Sequence, residues 1–171
     1  MPDRPESSPE RTNHKTERNG KLNVIIMGAG NLGSSLARKI SGMGHRVTVI
    51  ENDPRAVSQL PRGRTESGAM SVVHRDGSTG AAMIEAGIAE ADVFIAATGK
   101  DSLNGLAAQR AKIIFRVDQV LTAVKEESTR SLYDSLGIIT IDKTSIASEQ
   151  LAGLLPEVQE NQETPVKQTE Q

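Results

Sequence analysis

Apolar residues in this chain fall into short runs, and between the runs they recur at helical spacing. The runs are Leu22 to Met27, Val47 to Ile50, Met70 to Val73, Val93 to Ala97, Val120 to Val124 and Ile138 to Ile141. Each is strand-sized and bounded by glycine, proline or charged residues, so six strands are predicted. Between them the spacing of Leu32, Leu36 and Ile40, of Leu103 and Ala107 with Leu106, and of Leu132 and Leu136 predicts amphipathic helices. A last helix, Ser145 to Leu155, places Ala147, Leu151, Leu154 and Leu155 on one stripe. The stretch "DPRAVSQLPRGRTESGA" is interrupted by Pro61, Gly63 and Gly68, and predicts a short helix from Pro54 to Leu60 followed by a mobile basic loop with Arg62 and Arg64.

Strands that alternate with helices form βαβ units, whose right-handed crossovers build a parallel sheet. The expected fold class is α/β, a single domain with a doubly wound parallel Rossmann sheet of six strands over residues 21–155. The flanks differ in composition. Residues 1–20 hold three prolines and no aliphatic residue after Met1, and residues 156–171 carry Glu157, Glu160, Glu163 and Glu170 against Lys167. Both are predicted to be disordered tails, the second acidic.

Composition narrows the function. The chain has 171 residues, a formal net charge of -2 from 20 basic and 22 acidic side chains, and 2% aromatic content. Such a chain has neither a cationic field for nucleic acid nor aromatic platforms for single strands, so nucleic acid is not an expected partner. The absence of cysteine excludes a disulfide framework, a thiolate metal site and a thiol nucleophile, and His14, His45 and His74 are dispersed, so no metal site is expected. No window reaches the roughly 18 to 20 apolar residues of a membrane span, and no signal peptide is recognisable. A cytoplasmic protein without direct membrane insertion is expected.

The strongest chemical signal is "VIIMGAGNLGSSLARKI", in which Gly28, Gly30 and Gly33 stand at G-x-G-x-x-G spacing between a strand and a helix. In that context Gly28 allows the tight turn, Gly30 lets a pyrophosphate approach the backbone, and Gly33 lets the helix lie close to the sheet. The helix beginning near Asn31 offers free N–H groups and the positive end of its dipole to phosphate. Glu51 ends the second strand about 20 residues further on, the place of an acidic residue that accepts from ribose hydroxyls. Asp53 before Pro54 is predicted to cap a helix. Asp76 in "HRDGST" either receives an adenine amino group or caps the next helix. In "AATGKDSLN", Asp101 is predicted as a cap, and Lys100 either approaches phosphate or points to solvent.

These segments, with "RDGS", "EAGIAEADVFIAATGKDSLNGLAAQRAK" and "SLYDSLGIITIDKTSIASEQL", resemble the N-terminal nucleotide-binding domain of the RCK (KTN, TrkA) family of potassium-transport regulators. The resemblance covers residues 22–155. It implies a six-stranded Rossmann domain that dimerises, binds NAD(H), ADP or ATP, and passes ligand state to a membrane pore. The expected protein is a regulatory subunit of a Trk- or Ktr-type potassium uptake system, peripheral to the inner membrane through its transporter partner. By position, Gly28, Gly30, Asn31, Leu32 and Gly33 would line the phosphates, Glu51 would hold the ribose, Asp76 would lie near the adenine, and Thr98 with Gly99 would border the cleft. The chain departs from the family where Asn31 replaces a frequent basic residue and Ala123 a frequent arginine. It also ends after the last helix, so signals read by a C-terminal regulatory lobe are not expected.

Two other functions compete with regulation. One is a small NAD-dependent oxidoreductase, but Tyr133 has no lysine four positions on, and it is predicted to pack on a helix instead. His74 has no identifiable carboxylate partner for catalysis. The other is a dimeric scaffold without ligand, against which Glu51 and the three glycines argue together. The protein is therefore not expected to be an enzyme.

Overall fold

In a computed structural model that describes residues 20–125 and 127–155, the six predicted runs form one sheet, with ends shifted by at most one residue. The strands are β1 (Asn23–Met27), β2 (Arg46–Ile50), β3 (Met70–Val73), β4 (Val93–Ala96), β5 (Gln119–Ala123) and β6 (Ile138–Ile141). All neighbours are parallel, in the order β3-β2-β1-β4-β5-β6. β1 is central and has helices on both sides, so Val24, Ile25, Ile26 and Met27 are all buried and the strand is apolar without alternation. The chain leaves β1 in one direction through β2 and β3, then returns beside it as β4. That reversal opens a crevice at the carboxyl ends of β1 and β4.

Helices α1 (Asn31–Gly42), α2 (Pro54–Val57) and α3 (Arg62–Glu66) follow β1 and β2, and α4 (Gly80–Glu85) follows β3. Helix α5 (Asp101–Gln109) runs into a π-helical turn at Arg110–Ile114, α6 (Glu127–Ser135) precedes β6, and α7 (Lys143–Ala152) follows it. The sheet has a separate core on each face. One joins Ile26, Val47 and Val49 to Leu36 and Ile40 of α1 and to Leu60. The other gathers Ile25, Phe94 and Val120 with Met83 of α4, Ala107 and Ala108 of α5, and Tyr133 of α6.

Several helical expectations need correction. The basic segment after Leu60 is not a mobile loop: Pro61 takes an extended conformation at the N-cap of α3, and Arg64 Nη1 donates to the Ser41 carbonyl at 2.8 Å. The helix predicted from Pro54 to Leu60 stops at Val57, and Pro61, whose fixed φ is compatible with a helix entry, stands at the start of the next one. On α5 and α6, Leu106 and Leu132 are exposed, and the buried positions are Ala107, Ala108 and Tyr133. Small residues let α5 approach the sheet closely. Gly105 makes room for α6 instead: a Cβ there would lie 2.0 Å from the Tyr133 hydroxyl. Tyr133 therefore packs, as predicted. The predicted tails lie outside the described residues.

Phe94 is fully buried at the centre of one core. Phe94→Ala is expected to cost about 3 to 5 kcal/mol, whereas Leu106→Ala, at an exposed position, should cost under about 1 kcal/mol. Urea unfolding of both variants checks that the core lies at Phe94 of β4 and not at the outer face of α5.

Candidate functional site

The turn after β1 begins at Gly28, whose φ of +103° is a left-handed conformation that a side chain would strain. Its N–H donates to the Ile50 carbonyl at 2.9 Å, which extends the β1–β2 pairing past the strand. Five residues on, α1 crosses so closely that a Cβ on Gly33 would sit 1.9 Å from the Gly28 carbonyl oxygen. Gly33 thus serves helix packing, as its spacing predicts. Gly30 is different. A Cβ there would meet nothing within 4 Å, and its φ of -64° and ψ of -170° suit any residue. The fold itself sets no requirement for glycine at this point.

Gly30 is also the N-cap of α1, and no side chain caps that helix; its first turn has no acidic residue. By contrast, α2, α4 and α7 are capped by Asp53, Thr79 and Asp142. The first N–H groups of an α-helix have no intrahelical acceptor, so α1 presents donors and a positive dipole end beside the open space at Gly30. Leu32 turns its side chain into the core, so its contribution to a ligand is limited to its backbone. Asn31 is exposed.

Glu51 does more than the sequence reveals. Its Oε2 accepts from the Ala29 N–H at 2.8 Å, and its Oε1 accepts from the N–H groups of Asn52 and Asp53 at 2.8 and 2.9 Å. The carboxylate ties the end of β2 to the glycine turn. With about four acceptor positions on a carboxylate, roughly one remains for a ligand.

Asp76 follows β3. Its Oδ1 accepts from the backbone N–H and the hydroxyl of Ser78 at 2.9 and 2.8 Å. Helix α4 is capped by Thr79, not by Asp76. The Ser78 N–H and then its hydroxyl hold the Asp76 carboxyl below its ordinary value, partial burial opposes them, and the charge of Lys100 from the loop after β4 adds to the lowering. The turn is thus fastened by an ionised carboxylate. That contribution is present above the ordinary carboxyl range and is lost as pH falls through the depressed pKa. Arg110 Nη1, from the π turn, donates to the Ser78 carbonyl and braces the loop from behind.

One small cleft is lined by Gly28, Glu51, Asp76 and Thr98, together with Met27, Ile50, Arg75 and Leu103. The structure brings those four predicted residues together. Gly30, Asn31, Leu32, Gly33 and Gly99 are not part of this lining. Gly33 is buried beneath the turn, and Gly30 and Gly99 are exposed beside it. His74 is exposed outside the lining. Asp101 is not the cap of α5: it is the first residue of that helix, and its Oδ2 accepts from the Lys125 N–H at 2.9 Å.

Sequence reasoning missed two site residues. Gly77 sits under the Asp76 loop, where a Cβ would lie 2.4 Å from Met27 Cγ; the Asp-Gly-Ser sequence was the available turn signal. Asn104 lies behind Thr98, and nothing local distinguishes it from a surface residue of α5.

A parallel sheet in this order, with a glycine turn, an uncapped helix and an acidic residue at the second strand, defines a Rossmann domain. The chain belongs to the TrkA-N domain family, whose model matches residues 24–144. It is 34% identical over 139 residues to the Trk system potassium uptake protein TrkA of Streptomyces coelicolor, covering 79% of this chain and 59% of that protein. A relative from Methanothermobacter thermautotrophicus, a TrkA homologue, is 31% identical over 115 residues, covering 67% of this chain and 51% of that protein. The chain thus spans little more than half the length of these relatives.

Among solved structures, the TrkA-N domain of the inner membrane protein ybaL from Escherichia coli aligns with a TM-score of 0.64 at 16% identity, over 80% of this chain and 99% of that one. The GsuK channel bound to NAD aligns at 0.61 and 18%, covering 78% of this chain and 24% of that chain. GsuK bound to ADP aligns at 0.61 and 19%, covering 78% and 34%. At these identities the likeness shows the fold.

The two glycines separate packing from ligand space. Gly33→Ala should lose about 3 kcal/mol or more, because the clash is with backbone. Gly30→Ala should lose only about 1 kcal/mol, because glycine is the better N-cap but the added Cβ meets nothing. Thermal melts of the pair check this.

Proposed function

We propose that this domain binds an adenine nucleotide, NAD(H) or ADP/ATP, and that the bound nucleotide regulates a Trk- or Ktr-type potassium uptake system from the cytoplasmic face of the membrane. The carrying observation is the empty space at Gly30 beside the uncapped start of α1. A phosphate fits those donors and needs that space. Gly28, Gly30, Asn31 and Gly33, with the Leu32 backbone, serve the phosphates. Glu51 serves a ribose hydroxyl through its remaining acceptor position. Asp76 keeps Oδ2, which the Ser78 bonds leave over, as an acceptor for the adenine amino group, and Thr98 and Gly99 border the cleft.

The similarity to potassium uptake proteins supports the regulatory part of the proposal, as does the cleft, whose walls come from both sides of the chain reversal. A ligand that prefers one arrangement of those walls by about 1 to 3 kcal/mol would shift a coupled equilibrium 5- to 150-fold. Tyr133 is buried away from the cleft, which weighs against the oxidoreductase alternative. Among the described residues, no helix is long and apolar enough to cross a membrane, so contact with the membrane is assigned to a transporter partner.

Glu51→Gln removes the charge but keeps an acceptor for the glycine turn. It should weaken ADP or NAD binding about 10- to 100-fold, the loss of one charge-assisted hydrogen bond, and NADP should bind the wild type more weakly than NAD. Titration calorimetry reads both. In cells that depend on the cognate transporter, Gly30→Asp should reduce potassium uptake as deletion does. Unchanged uptake in both strains, with substrate turnover by the purified protein and NAD, contradicts the proposal.

A homodimer is also proposed. Helix α7 ends at Ala152, so of the predicted stripe only Ala147 and Leu151 are helical and Leu154 and Leu155 lie in the turn beyond it; Leu151, Leu154 and Leu155 are 67%, 80% and 72% exposed and do not pack on their own sheet. On the sheet, Ile95, Leu121 and Ile139 align in register on one face, and Ile139 is 45% exposed. A helix from a second copy would cover both surfaces. Light scattering should show a dimer at high micromolar concentration, and Leu151→Asp with Leu154→Asp should shift it toward monomer; a monomeric wild type contradicts this part.

A further inference from the structure

Asn104 is a polar side chain at 0% exposure, between the candidate cleft and β5. Its Oδ1 accepts from the Thr98 N–H at 2.9 Å and from the Thr98 hydroxyl at 2.6 Å. Its Nδ2 donates to the carbonyls of Thr98 at 3.1 Å and Ala123 at 2.8 Å. A backbone N–H can only donate and a carbonyl can only accept, so these partners fix the orientation of the amide. The side chain's two donors and two lone pairs are all used.

Three polar atoms of Thr98 are therefore held by one neighbour. Thr98 also faces the glycine turn: a Cβ on Gly28 would lie 3.0 Å from Thr98 Cγ2. Helix α5 buries Ala107 and Ala108 against the same core, and an apolar residue at 104 would avoid the desolvation of an amide. What the amide adds is geometry. One turn earlier, the Asp101 carboxylate holds the Lys125 N–H, so the start of α5 grips the exit of β5 as well as the cleft wall.

We infer that Asn104 is a positioning residue for nucleotide binding: it sets Thr98 against Gly28 before the ligand arrives, and does not itself touch the ligand. This rests on the nucleotide reading above. A preformed wall removes the ordering cost that a loose loop would charge against affinity.

The test combines affinity with local order. In nucleotide-free wild type, the Thr98 N–H should exchange with solvent much more slowly than the N–H of exposed Gly99. In Asn104→Ala, measured well below its melting temperature, ADP and NAD should bind about tenfold more weakly. Asn104→Asp keeps the acceptor for Thr98 and loses both donors. Burial and the two facing carbonyls raise its carboxyl pKa against the opposing pull of the Thr98 N–H and hydroxyl, and protonation restores one donor. Its affinity should therefore rise as pH falls through that raised pKa, relative to wild type at the same pH. A merely structural role would not produce that profile in folded protein. If Asn104→Ala does not fold, the exchange measurement and the Asn104→Asp profile decide. Equal affinity in wild type and folded Asn104→Ala, a flat relative profile, or fast exchange at Thr98 overturns the inference alone. Protection at Thr98 with no binding of ADP or NAD by wild type overturns the nucleotide reading, and the positioning role falls with it.

Discussion

The approach of α1 to the turn after β1 governs this structure. Because Gly33 has no side chain, the helix packs so close to the Gly28 carbonyl that a Cβ would lie 1.9 Å from its oxygen, and its uncapped N-terminus is left at the carboxyl end of the sheet. Any side chain at 33 would push α1 outward, separating Leu36 and Ile40 from the core they share with Ile26 and Val49. The same displacement would move the helix dipole away from the cleft. Packing and binding geometry therefore share one constraint.

Around that contact the site is held by side chains that bond backbone more than one another. Glu51 fixes the glycine turn through the Ala29 N–H, Asp76 fixes its own loop through Ser78, and Asn104 fixes Thr98. Each anchors a loop at the end of a different strand. The walls are thus ordered separately. The open surfaces of α7 and of Ile139 on β6 lie on the other half of the sheet.

The strands were legible because buried parallel strands are apolar throughout, and β1 in "VIIM" is the extreme case. The glycine spacing was legible because the left-handed turn at Gly28 and the close approach of α1 at Gly33 need glycine at fixed offsets. The second short helix was not, since Pro61 reads locally as a breaker and only its contact with the end of α1, through Arg64 and Ser41, shows that it starts a helix. Leu132 and Tyr133 are adjacent on α6 with only one facing the core, a choice made by the space beside Gly105. Asn104 was hidden for a related reason. The burial of a polar residue depends on partners in β4 and β5, and no local pattern announces them.

The most direct test of the account is amide chemical-shift mapping of the protein titrated with ADP and with NAD. Saturable shifts confined to Gly28–Gly33, Glu51, Asp76–Gly77 and Thr98–Gly99 are predicted, because these backbone groups surround the proposed ligand. Shifts centred instead at the opposite ends of the strands, around Arg46, Gly68 and Gly87, or no saturable shift with either nucleotide, would contradict it.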